Sequence, residues 1–136
     1  MKIPLILTLL LLAAAILPAQ QTDINEQLFS AVKNNDVQVV EKCIENGADV
    51  NAKTKDGNLP IHYAAQNENG LEICYILIEN GSLLNKKNHD GNTPLHLVVP
   101  SNDFDKVCDL MIKNGANPKI KNKEKISADF YIHEWN

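Results

Sequence analysis

Asp90-Gly91-Asn92-Thr93-Pro94-Leu95-His96 is the stretch on which the fold of this 136-residue chain turns. Asp-Gly followed by a polar residue is the chemistry of a tight, hairpin-like connection. Thr93 suits a helix N-cap, because its hydroxyl can accept from the first free N–H groups. Pro94 suits the first helical turn, where its missing N–H costs nothing. Leu95, Val98 and Val99 then give one apolar side, so a short helix is expected from Pro94 onward. Thirty-four residues upstream the pattern recurs as Asp56-Gly57-Asn58 and Pro60-Ile61-His62. Leu59 stands there in place of threonine, so that cap is lost and a weaker helix start is expected.

The interval of 34 extends further. Asn46-Gly47-Ala48-Asp49, Asn80-Gly81-Ser82-Leu83 and Asn114-Gly115-Ala116-Asn117 keep the same spacing. Before each Asn-Gly step lies an apolar stripe. Its members are Val39-Val40 with Cys43-Ile44, Ile73-Cys74 with Leu77-Ile78, and Val107-Cys108 with Met111-Ile112. Apolar residues at i, i+1, i+4 and i+5 describe a helix with one buried face. The glycine that follows lacks a Cβ and can take the left-handed conformation that ends a helix.

These residues make the chain resemble an ankyrin-repeat protein. The resemblance rests on Asp90-Gly91-Asn92-Thr93-Pro94-Leu95-His96 and on the Asn-Gly-Ala-Asp-Val-Asn run at 46–51, and it covers about Ile24 to Ser127. It implies an all-α helix-turn-helix solenoid with short hairpin-like inter-repeat loops. The expected division is an N-terminal cap repeat at 24–55, repeats at 56–89 and 90–123, and a truncated C-terminal cap at 124–136. The usual unit has about 33 residues, so one extra residue is expected in the inter-helix loops near Gln66–Gly70 and Pro100–Asp103. Val98-Val99 replace the usual pair of small alanines. The resemblance also implies that His62 and His96 hydrogen-bond backbone and hydroxyl groups tying adjacent loops together, and that the module binds proteins without catalysis.

Composition separates a leader from this body. Fifteen of the first nineteen residues are apolar, with the positive Lys2 near the start and Pro18-Ala19-Gln20 at the exit. That is the order of a secretory signal peptide, expected at 1–19 with cleavage after Ala19 and a domain at 20–136. A fifteen-residue apolar run spans about 22 Å, short of the ~30 Å hydrocarbon core. An uncleaved membrane anchor is the alternative, because Leu17 is not ideal at the third position before the cut. The chain is therefore expected in the periplasm or cell envelope, or secreted. Residues 20–136 carry twelve lysines, no arginine and 17 acidic residues. That balance argues against a nucleic-acid partner.

Candidate chemistry is sparse. His89 and His133 lack a paired ligand at coordination spacing. Cys43, Cys74 and Cys108 lie on the apolar stripes, where a buried thiol acts as a small hydrophobe. No Ser-His-Asp order, activated Cys-His pair or glycine-rich phosphate loop is present in the sequence. The expectation is no enzyme, no metal, no cofactor and a monomer, with an enzyme or metal-binding protein as the remote alternative. Eight lysines fall between repeats, at 53, 55, 86, 87, 119, 121, 123 and 125, while the second helices carry Glu41, Glu45, Glu72, Glu79 and Asp109. Stacking would create a basic row of finger tips and an acidic convex back, the row fit to steer an acidic protein. The expected protein-binding residues are Lys53, Lys55, Asp56 and Asn58, then Lys87, His89, Asp90 and Asn92, with Tyr63, Gln66 and Asn67 beside them. Phe130 and Trp135 are expected to cover the last repeat. An exported protein binder follows, acting on an envelope partner as inhibitor, protector or immunity protein, or on another cell as an effector.

Overall fold

The computed structural model describes residues 24–134. The expected leader at 1–19, its cleavage site and Trp135 lie outside the described residues. The elements run in order α1 (24–33), α2 (Val37–Glu45), α3 (Pro60–Ala65), α4 (Leu71–Glu79), a 3-10 turn (Pro94–Leu97), α5 (Phe104–Lys113) and α6 (Ala128–Glu134). They form two rows. The second helices α2, α4 and α5 stack on one another, and α3 contacts both α4 and the 3-10 turn, which in turn meets α6. Phe29 of α1 meets Tyr63 of α3 edge-on at 5.9 Å, which continues the first row. Among the described residues the only β pairing is one antiparallel bridge, Lys121 with Ser127.

The core lies between the rows. Val40 and Cys43 of α2, Ile73, Cys74 and Leu77 of α4, and Val107, Cys108 and Met111 of α5 are buried, and they meet Leu28, Leu59, Ile61 and Leu95 from the other row. Each fully buried aliphatic side chain contributes ~1.5–3 kcal/mol. Val39 and Ile112, at the edges of their stripes, remain 39% exposed. All three second helices end alike. The N–H groups of Ala48, Ser82 and Ala116 reach back to the carbonyls of Cys43, Leu77 and Met111. That six-residue closure is made possible by the positive φ of the intervening glycine.

The first-row helices depart from expectation. The segment capped by Thr93 is only a four-residue 3-10 turn, whereas the one preceded by Leu59 is a six-residue α-helix. Two physical reasons account for the reversal. Val99 precedes Pro100, and a residue before proline is pushed out of the helical region; Val98 is already extended, at φ −63° and ψ 122°. The cap at Leu59 is supplied by His62, whose Nδ1 accepts from the Leu59 N–H at 2.9 Å, leaving Leu59 free to be buried in the core. Thr93 is the N-cap of the 3-10 turn, as expected, and its hydroxyl also donates to His96 Nδ1 at 2.8 Å.

The inter-helix loop after α3 is tight. A Cβ on Gly70 would come within 2.0 Å of the Ala64 carbonyl oxygen, so only glycine fits there.

Candidate functional site

Between the rows and the solvent, three fingers project. Their tips stack through the backbone: the His89 N–H donates to the Asp56 carbonyl at 2.9 Å, and the Lys123 N–H donates to the Asp90 carbonyl at 3.1 Å. The approach is close because the preceding tip carries glycine. A Cβ on Gly91 would sit 2.7 Å from Lys123 N, and Gly91 has φ +77°.

Asparagines repeat this stitching. Asn88 Nδ2 donates to Asn58 Oδ1, and Asn122 Nδ2 donates to Asn92 Oδ1. At the finger bases, Asn51 donates to the Gly81 carbonyl and accepts from the Leu83 N–H. Asn85 does the same with Gly115 and Asn117.

The two histidines lock the fingers to the first row. His62 is fully buried. Because the Leu59 N–H can only donate, His62 Nδ1 is the acceptor and Nε2 carries the hydrogen, which is shared between the Lys86 and Asn92 carbonyls at 3.1 Å each. His96 repeats the arrangement with the Thr93 N–H and the Ile126 carbonyl. Burial pushes both imidazoles below their ordinary value, only partly opposed by the carbonyls that accept from Nε2. These histidines tie loops, as the resemblance implied.

The residues expected to bind a partner divide into two groups. Lys53, Lys55, Asp56, His89 and Asp90 are exposed on the inner two finger tips, and Gln66 is exposed just past α3. Asn58 and Asn92 are not outward groups without structural work: both are half-buried members of the asparagine ladder. Lys87 is exposed, but its ammonium donates to the Lys121 carbonyl at 2.7 Å and so ties the second finger to the third. Asn67 turns inward on its own loop, accepting from the Asn69 N–H.

Tyr63 is half-buried rather than presented freely. The Lys33 ammonium lies 4.5 Å from its ring centroid, on top of the edge-on contact with Phe29. Lys33, Tyr63, Gln66, Asn67, Glu68 and Asn69 line a hollow of about 400 Å³. Tyr63, Gln66 and Asn67 are thus brought together, apart from the finger tips. Lys33 and Phe29 were missed because they come from the preceding unit. The ladder asparagines recur at the 34-residue spacing, at 51/85, 58/92 and 88/122, but recurrence alone does not tell that they bond one another across units.

Elsewhere, Cys43, Cys74 and Cys108 are free and buried. Burial raises all three thiols, Cys74 to about 12 and Cys108 to about 11, the latter helped by Asp105 and Asp109. No group of three or more metal-ligating side chains occurs among the described residues. Phe130, expected to cover the last repeat, is instead 53% exposed and meets Tyr131 edge-on.

A search of curated proteins finds no match to this chain. A family model described as ankyrin repeats, in three copies, matches residues 28–122. Ankyrin repeats are in general non-catalytic modules that bind other proteins, and the stitched fingers over two helical rows are what such repeats require. By the extent of that match, the chain belongs to the ankyrin-repeat family.

Proposed function

We propose that this protein is an exported, non-catalytic binder that holds a partner protein in the cell envelope or periplasm by stoichiometric association. Inhibiting, protecting or stabilising that partner, as an immunity protein does a toxin, is the role this reading favours. The observation that carries it is the finger row. Lys53, Lys55, Asp56, His89 and Asp90 are exposed on tips whose backbones are bonded to one another, so little conformational entropy remains to be lost on binding. The apolar order of residues 1–19 supports export.

Cell fractionation followed by an affinity pull-down from the envelope, with the full chain as bait, tests the proposal. Retention in the envelope with one stoichiometric partner is the expected result. Accumulation in the medium would transfer the reading to a secreted effector, and a purely cytosolic pool would overturn export. Once the partner is captured, Lys53→Glu with Lys55→Glu should slow association and weaken its salt dependence, because exposed charges are screened over ~8 Å at physiological ionic strength.

A further inference from the structure

The C-terminal end of the stack carries a second surface, distinct from the inner finger row. The third finger is the last among the described residues, and it differs chemically from the two before it. Where they have Gly57 and Gly91 at φ +77°, it has Lys125 at φ +64°. Where they have His62 and His96, it has Phe130, half exposed. Where they have Asn58 and Asn92, it has Ile126, so the side-chain ladder stops. The backbone does not close off in the same way. The Glu124 carbonyl stands at the position of the Asp56 and Asp90 carbonyls, each of which receives an N–H from the next finger; among the described residues nothing donates to it.

The residues that follow this carbonyl, with Lys121, form an open cleft of about 290 Å³ lined by Lys121, Lys125, Ile126, Ser127 and Phe130. Four lysines, at 119, 121, 123 and 125, stand against a single glutamate in this finger. Ser127 further occupies Asp129 through a short hydrogen bond, which together with the backbone at Phe130 holds that carboxyl below its usual range. The turn is rigid, because Asn122 Oδ1 accepts from both the Glu124 and the Ile126 N–H at 3.0 Å. A lysine in the left-handed region is conformationally disfavoured where glycine is not, and what it adds is an ammonium at the rim of the cleft.

We propose that this end of the stack docks an extended acidic peptide segment of a partner protein. Its backbone N–H donates to the Glu124 carbonyl, as a further finger would. An apolar side chain enters between Ile126 and Phe130, and flanking carboxylates meet Lys121 and Lys125. A second copy placed symmetrically on this end would set lysines against lysines. A lipid surface supplies the charge but no N–H in finger register.

The test uses the full chain and a fluorescein-labelled peptide of about ten residues alternating Asp or Glu with Leu or Phe, read by anisotropy. Binding should weaken as salt rises. Lys121→Ala with Lys125→Gly should weaken it roughly fivefold, as expected for two exposed charge pairs, while the melting temperature does not fall, since glycine relieves the positive φ. Phe130→Ser should also weaken it. Lys53→Ala with Lys55→Ala should leave it unchanged, which separates this site from the inner row. Full affinity in the Lys121/Lys125 variant, or no binding of the peptide at all, overturns the proposal. So does sedimentation with anionic phosphatidylserine vesicles in place of peptide binding.

Discussion

His62 makes three connections with one neutral ring: it caps α3 at Leu59 and holds the Lys86 and Asn92 carbonyls of the next finger. Truncating it strands buried polar groups, each worth ~1–3 kcal/mol when left unpaired. His62→Ala should therefore cost about 2–4 kcal/mol in urea unfolding, more than His96→Ala, whose site is only half-buried. His62→Gln, which keeps an acceptor and a donor, should recover part of the loss. The same ring makes stability depend on pH. Its folded pKa lies below the ordinary value of 6.5, and so does that of His96. The unfolded chain thus takes up protons first as pH falls. The stabilisation is complete above about pH 6.5 and is lost as pH drops toward the folded values, with a slope of at most ~1.4 kcal/mol per pH unit for each group. Urea midpoints measured between pH 8 and 5 should show this decline, and it should shrink in His62→Gln. A flat profile in the parent chain would contradict the burial argument.

Among the elements, α2 starts best. Asp36 Oδ1 accepts from the Val39 N–H at 3.2 Å, and Asp36→Ala should cost ~1 kcal/mol. The 3-10 turn at Pro94–Leu97 shows how a good start can still yield a short helix. Its cap sequence is better than that of α3, yet Val98, Val99 and Pro100 stop it within four residues. Replacing Val98 and Val99 with Ala and Pro100 with Asn should extend the helix and deepen the circular dichroism signal at 222 nm. An unchanged signal would assign the short turn to packing, through the long Val99 N–H to Ala65 carbonyl contact of 3.4 Å, rather than to local chemistry.

Across the whole molecule, stability comes from neighbours. No unit buries its stripe alone, so opening must separate stacked units before a thiol meets solvent. With Cys74 raised to about 12 and Cys108 to about 11, and Cys43 raised as well, almost no thiolate exists at neutral pH. A thiol-blocking reagent should leave the native protein unlabelled and modify all three cysteines once denaturant is added. Finding only one reactive thiol after unfolding would mean that two are bridged and that the stacking of α4 on α5 is different.

What the sequence by itself determined is what repeats within a unit. The 34-residue spacing, the apolar stripes, the Asn-Gly helix ends and the Asp-Gly tips were readable because each depends on a few residues close in the chain. Stacking alone decided the rest. Asn58 and Asn92 became ladder members, Lys87 became a tie to the third finger, and Tyr63 acquired Phe29 and Lys33. Phe130 was left half exposed because no described unit follows it. The asparagine, Lys87 and Tyr63 contacts each depend on a partner about 30 residues away, brought near by the rotation and rise between units, which local periodicity does not encode.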